Sequence, residues 1–218
     1  MQNGKTFVAI VALVIGLVVG YGASSVFDRS ENGGDDSMME KNMKVMEIPG
    51  GPGTKATDTE KPHLASLSEL KKSKISLEDA LKQVEKTNSP AIDAKFETGD
   101  DGKLSLSIYP VGQGINIDAA RNVFQELAGD PTVLPWTPEL ATFTDEEHLK
   151  GSARDITVVQ TAGLTLRDAV EQVGLKQPGF VYWALPTIRD GQPGYGVYTL
   201  DSYNRSHYFF VTGVSSNR

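Results

Sequence analysis

Residues 75–84 read Ile-Ser-Leu-Glu-Asp-Ala-Leu-Lys-Gln-Val, and residues 164–173 read Leu-Thr-Leu-Arg-Asp-Ala-Val-Glu-Gln-Val. The two stretches match at an offset of 89 residues, and the turn sequences Asp101-Gly102 and Asp190-Gly191 recur at the same offset. Several matches in the same order at one offset indicate an internal repeat. The sequence therefore predicts two copies of one structural unit.

Each copy is predicted to begin with an amphipathic helix. Ser76 and Thr165 each open an S/T-x-x-D capping box, in which the hydroxyl oxygen accepts a hydrogen bond from a backbone amide of the first turn. Apolar residues then follow at i, i+3, i+4 and i+7 in both copies. They are Leu77, Ala80, Leu81 and Val84 in the first helix, and Leu166, Ala169, Val170 and Val173 in the second. Each helix thus has one apolar stripe, which must pack against another element.

Apolar and polar residues alternate after each helix, as in strands that have one solvated face. In the first copy the alternation covers residues 92–97 and 104–108, with a short third strand predicted at Ile115 and Ile117. In the second copy strands are predicted at 180–187, 195–200 and 206–211. We therefore predict the α+β class, with two repeated units that each pack a helix on a small antiparallel sheet.

The predicted boundaries follow from these patterns. They are an N-terminal segment at 1–27, a flexible linker at 28–72, the first unit at 73–125, a connecting segment at 126–162 and the second unit at 163–218. The connecting segment is predicted to contain a helix that starts near Asp145 and ends at Gly163, because Leu149, Ala153 and Ile156 recur at helical spacing.

The order of these motifs resembles the PepSY domain. The resemblance is carried by the capped helix Ile-Ser-Leu-Glu-Asp-Ala-Leu, the Asp-Gly hairpin turn and the strand end Ile117-Asp118-Ala119, and it covers roughly residues 73–125 and 163–212. Asn122 stands where the family usually has glycine, and the second copy departs further from the pattern. The resemblance implies a half-cystatin-like fold and a role in inhibiting or regulating a peptidase, or in binding another protein, at the cell envelope. It implies no catalytic residues.

The N-terminal segment predicts export. Lys5 precedes an uncharged and largely apolar run from residue 6 to residue 27, which is long enough either for a cleaved signal peptide or for a membrane-spanning anchor. The anchor would place the chain in the inner membrane as a single-pass protein, with its C-terminal domain periplasmic or extracellular. Gly16 and Gly20 form a GxxxG pair, which would let two such helices approach closely as a dimer.

A methionine cluster lies in the predicted linker. Four of the five methionines of the chain are Met38, Met39, Met43 and Met46. On a helix, Met39, Met43 and Met46 would share one face, and thioethers in an exported segment can bind Cu(I). The alternative is a short amphipathic patch that lies on the membrane or on the folded domain.

Aromatic residues concentrate in the second unit. Nine of the 17 aromatic residues lie between Phe180 and Val211, and the strand at 180–187 is apolar on both faces. Such a strand must be covered on both faces, either by the rest of the chain or by a partner. Tyr and Trp are enriched in binding interfaces, so Tyr182, Trp183, Tyr195 and Tyr198 are the candidate interaction surface.

Composition and motifs restrict the function. The formal charge of −7 argues against nucleic acid as a partner, and the absence of cysteine excludes disulfides and thiol chemistry. The three histidines are far apart and no catalytic signature is present. We therefore predict a non-enzymatic protein-interaction module without a cofactor, whose partner is an envelope protein or peptidase. The alternative is a periplasmic protein that binds copper or a small ligand.

Overall fold

The computed structural model describes residues 43–49, 66–86, 90–99, 101–112, 124–177 and 179–213. The strands in these ranges are β1 (Met43–Glu47), β2 (Ala91–Thr98), β3 (Leu104–Pro110), β4 (Phe124–Gly129), β5 (Glu139–Phe143), β6 (Phe180–Arg189), β7 (Gln192–Leu200) and β8 (Ser206–Gly213). The helices are α1 (Leu67–Leu70), α2 (Leu77–Glu85), α3 (Glu146–Ala162) and α4 (Leu166–Lys176).

All eight of these strands belong to one antiparallel sheet, in the order β1-β8-β7-β6-β2-β3-β4-β5. The two halves of the chain meet where β2 pairs with β6, with Ala94 opposite Ala184 and Lys95 opposite Trp183. The predicted α+β class, with two repeated units that each pack a helix on their own small sheet, is therefore wrong. Pairing β2 with β6 satisfies backbone groups that two separate sheets would leave open along these strands.

The helix starts are confirmed. The Ser76 hydroxyl oxygen accepts a hydrogen bond from the Asp79 amide at 3.0 Å, and the Thr165 hydroxyl oxygen accepts one from the Asp168 amide at 3.1 Å. The predicted connecting helix is also confirmed as α3. Its N-cap is Asp145, and it ends at Gly163, which adopts the left-handed conformation with φ of 70°.

The sheet has two differently covered faces. Ile92, Ala94 and Phe96 of β2 point to one face, which we call the Phe96 face, and Asp93, Lys95 and Glu97 point to the other, the Lys95 face. Helices α2 and α4 pack on the Phe96 face, where their apolar stripes join the main core. Helix α3 crosses the Lys95 face, since its His148 ring stacks on side chains of that face, Phe124 and Phe143.

Part of the predicted linker is ordered in the sheet. Residues 43–47 form β1, which pairs with β8 along its whole length from Met43 opposite Gly213 to Glu47 opposite Phe209. The segment Met-Lys-Val-Met-Glu has no alternation of its own that would indicate a strand, so its structure depends on pairing with a strand more than 150 residues away. Helix α1 also lies in the predicted linker.

Several predictions lie outside the described residues. These are the membrane or signal segment at 6–27 with Gly16 and Gly20, the methionines Met38 and Met39, and the third strand at Ile115 and Ile117. Within the described ranges, no helix combines the length and the apolar character that crossing a bilayer requires.

We predict that the apolar stripe of α2 stabilises the fold more than its cap. Leu81 is fully buried, so Leu81→Ala should lower the free energy of unfolding by ~2–5 kcal/mol. Ser76→Ala should lower it by ~1 kcal/mol. As a control, Leu175→Ala on α4 should change it by less than ~0.5 kcal/mol, because Leu175 is 74% exposed. Denaturant melts of the purified chain measure all three, and a Leu81→Ala variant as stable as Leu175→Ala would contradict this packing.

We also predict opposite effects for two glycine-to-alanine changes. A Cβ at Gly194 in β7 would lie 2.3 Å from the backbone oxygen of Val211 and 2.9 Å from the Phe210 ring. Because the backbone of β8 must then shift, Gly194→Ala should destabilise by ~1–3 kcal/mol or more. A Cβ at Gly174 in α4 meets open space, so Gly174→Ala should stabilise by ~0.5–1 kcal/mol. Thermal melts that rank the two variants the other way would refute this account of β7.

Candidate functional site

The aromatic residues that the sequence analysis selected lie largely inside the protein. Tyr182, Tyr195 and Tyr198 are buried, and Trp183 is half-buried. The Tyr195 hydroxyl donates a hydrogen bond to the Leu164 carbonyl at 3.2 Å. The rest of the chain thus covers these side chains, which is the alternative to coverage by a partner.

Trp183 connects the two halves of the sheet through a hydrogen bond and an aromatic contact. Its indole N–H donates a hydrogen bond to the Asp93 carboxylate at 3.2 Å, and its ring stacks on Tyr198 with centroids 5.0 Å apart. Burial raises the pKa of Asp93 to about 7, while the positive charge of Lys95 opposes the rise. Asp155 on α3 adds to it, and burial also raises the pKa of Asp155, to about 6.

A polar network continues from Asp93 across the Lys95 face. Lys95 pairs with Glu97 at 2.8 Å, and the Ser107 hydroxyl donates to Glu97 at 3.1 Å. On the next strand pair, the Tyr109 hydroxyl donates to the Glu126 carboxylate at 2.9 Å. These polar side chains of the Lys95 face thus pair with one another.

The methionines within the described residues do not share a face. Met43 and Met46 both lie in β1, where a separation of three residues directs their side chains to opposite faces. The helical arrangement considered for these two residues is therefore wrong. Within the described ranges, no group of three His, Asp or Glu side chains is arranged to hold a metal ion.

His207 instead fastens β1 to the sheet. Its Nδ1 lies 3.0 Å from the Glu47 carboxylate of β1, and its Nε2 lies 3.1 Å from the Asp201 carboxylate in the turn before β8. The hydrogen bonds to Glu47 and Asp201 raise the pKa of His207. Burial favours the protonated form of Asp201, but hydrogen bonds from the Arg205 amide and from His207 outweigh it and lower the pKa of Asp201.

The most exposed strand of the sheet is β5, which the sequence analysis did not predict. Glu139, Leu140, Ala141 and Thr142 are all exposed, and Leu140 is 56% exposed. Among the described strands, β5 pairs only with β4 and forms one end of the sheet. Its five residues carry too short a pattern to be distinguished from the proline-containing loop before it.

An aromatic row lies beside β5 on the Lys95 face. Tyr109 stacks on Phe124 at 5.3 Å, Phe124 lies 5.5 Å from Phe143, and Phe143 stacks on His148 at 4.5 Å between ring centroids. His148 also contacts the Asp145 carboxylate at 2.7 Å. The row therefore links strands β3, β4 and β5 to the first turn of α3 and holds β5 in place.

On the other face, apolar side chains near β5 remain in solvent. Leu140 lies opposite Leu127 of β4 and projects from the Phe96 face. Val133 and Leu134, in the loop that leads into β5, are likewise more than half exposed. The loop itself is anchored by the buried ring of Trp136, whose carbonyl accepts a hydrogen bond from Gln83 of α2 at 2.8 Å. A stable edge with exposed apolar groups is thus presented to solvent.

Comparison of the chain with family models, with curated proteins and with solved structures finds no match.

We predict that Asp93 makes the fold less stable as the pH rises. Its pKa in the folded chain is about 7, above the ordinary value of 3.8, so the folded state holds the proton more tightly. The contribution of Asp93 to stability is then present at low pH and is lost as the pH rises through about 7. Asp93→Asn keeps an acceptor for Trp183 but cannot ionise, so its stability relative to the unmodified chain should increase between about pH 5 and about pH 8.

Denaturant melts at these two pH values measure the effect. Asp190→Asn, which changes an exposed carboxylate in the β6–β7 turn, should leave the pH dependence of the free energy of unfolding as it is in the unmodified chain. If the free energies of unfolding of Asp93→Asn and of the unmodified chain change in parallel with pH, the Asp93 carboxylate does not titrate as described.

Proposed function

We propose that this chain is a non-enzymatic protein-binding module of the cell envelope, and that it binds an extended segment of its partner alongside β5. The single observation that carries the proposal is the exposure of β5, which is paired on one side only among the described strands. An edge strand presents a row of unpaired N–H and C=O groups to solvent. Another chain can add to such an edge as a further strand.

The dimensions of β5 suit this mode of binding. Its five residues extend over ~17 Å, enough to pair with a segment of similar length. Main-chain hydrogen bonds would supply affinity, and the side chains that alternate along the edge would supply specificity. Leu140, with Val133 and Leu134 nearby in sequence, offers apolar surface that a partner would remove from water.

The location and the class of partner extend the proposal. The uncharged run at 6–27 supports export and membrane attachment, with the folded part outside the cytoplasm. The resemblance to PepSY domains supports a peptidase, or another envelope protein, as the partner. Copper binding by the methionines has less support, because Met43 and Met46 point to opposite faces of β1.

We predict that Leu140 is required for binding. Random peptides displayed on phage, panned against the purified chain, should yield binders that fail against Leu140→Asp, which places a charge in the apolar contact. Leu175→Asp is the matched control, because it puts the same charge at another exposed leucine, on α4, and it should retain the binders. Hydrogen exchange should also slow at β5 amides when a binder is present, since free N–H groups become hydrogen-bonded.

Three results would contradict the proposal. The first is that no enriched peptide distinguishes Leu140→Asp from Leu175→Asp, and the second is that binding leaves hydrogen exchange at β5 unchanged. The third is that the unmodified chain forms a dimer that Leu140→Asp dissociates in sedimentation experiments. The occupant of β5 would then be a second copy of this chain and not a partner segment.

A further inference from the structure

Ala141 occupies the middle of β5, directly opposite Glu126 of β4. Directly opposed residues of antiparallel strands share a face, so both project from the Lys95 face. Ala141 is exposed and ends in a methyl group, and it therefore leaves the Glu126 side chain accessible from beyond the edge of the sheet. A larger residue at position 141 would close this approach.

Glu126 is not neutralised within the described part of the chain. Among the described residues, its half-buried carboxylate accepts a hydrogen bond from the Tyr109 hydroxyl at 2.9 Å. No Lys, Arg or His side chain of the described residues lies within ion-pair distance of it. Lys95, which projects from the same face, pairs instead with Glu97 at 2.8 Å, and its Nζ lies 5.6 Å from the centroid of the Tyr109 ring.

A second carboxylate stands beside Ala141. Glu139 is two residues away in β5 and therefore on the same face, and its side chain is exposed. The exposed edge of the Lys95 face thus presents two acidic groups, one on each side of a small residue. This arrangement is complementary to a cation and to no anion.

We infer that the partner segment carries a lysine or arginine opposite Ala141, whose charged end reaches Glu126; this inference rests on the proposed function. Two strand spacings, ~9–10 Å, separate a strand added at β5 from β4. A long basic side chain that extends across the Ala141 methyl group can cover most of that distance, and the length of the Glu126 side chain covers the remainder. Apolar partner residues at the flanking positions, which point to the other face, would meet Leu140.

The panning experiment on β5 also tests this inference. Peptides whose binding depends on Leu140 should contain more lysine and arginine than the starting library. For such a peptide, Glu126→Gln should weaken binding about tenfold, as expected for loss of a charge-assisted hydrogen bond. Ala141→Leu, which keeps both charges but obstructs the approach to Glu126, should weaken it as well.

A control and a second variant keep the result interpretable. Glu171→Gln removes a carboxylate from α4, on the Phe96 side of the sheet, and should leave binding within about twofold. If Glu126→Gln proves to be unfolded by circular dichroism, Glu139→Gln at the exposed neighbour takes its place, with a weaker expected loss of about twofold to fivefold.

The possible outcomes separate the two proposals. Peptides that depend on Leu140 but carry no excess of basic residues, and that bind Glu126→Gln or Glu139→Gln as tightly as the unmodified chain, would overturn the inference and leave the proposed function intact. An absence of peptides that depend on Leu140 would overturn both.

Discussion

The pairing of β2 with β6 is the contact on which the rest of the structure depends. It turns the strands of both halves into one sheet, with Ala94 opposite Ala184 at the joint. The small side chains at this joint let α2 and α4 lie next to each other on the Phe96 face, where Arg167 of α4 pairs with Glu85 of α2 at 3.0 Å. The same register sets Trp183 beside Lys95 and brings its indole to Asp93.

The described sheet ends at β1 on one side and at β5 on the other, and different contacts hold these two strands. At one end, β1 is held by the pairing with β8 and by His207 between Glu47 and Asp201. At the other end, the aromatic row and α3 contact β5 on the Lys95 face, but the outer edge of β5 is exposed. Proteins commonly blunt an exposed edge with charge or by shortening the strand. Here β5 is short and carries Glu139, and both features also suit a selective contact with a basic extended segment.

The carboxylates on the Lys95 side of the sheet lie in two different environments. Asp93 of β2 and Asp155 of α3 have raised pKa values because they are removed from water, and Asp93 accepts a hydrogen bond from the Trp183 indole. Closer to β5, Glu126 is half-buried, and among the described residues its carboxylate accepts a hydrogen bond from the Tyr109 hydroxyl. Asp93 and Asp155 therefore influence stability and its pH dependence, whereas we propose that Glu126, on the strand next to the edge, meets a ligand from outside.

Sequence alone determined the features that depend on neighbours along the chain. The hydroxyls of Ser76 and Thr165 predict where α2 and α4 begin, Gly163 predicts where α3 ends, and the alternation of residues 92–97 predicts a strand with two unlike faces. These signals are local, because a cap, a left-handed glycine and a period of two each involve only a few consecutive residues.

Only the tertiary structure decided which strands pair. The union of the two halves, the strand character of Met43–Glu47 and the exposed position of β5 all depend on contacts between residues distant in sequence. Aromatic composition selected Tyr195 and Tyr198 as a surface, but composition cannot show which face of a strand the rest of the chain will cover. Strands of five residues have too few positions to show a period, and the preference of a segment for a strand depends on the neighbours that it meets in the sheet. The candidate site at β5 was for that reason out of reach of the sequence pattern.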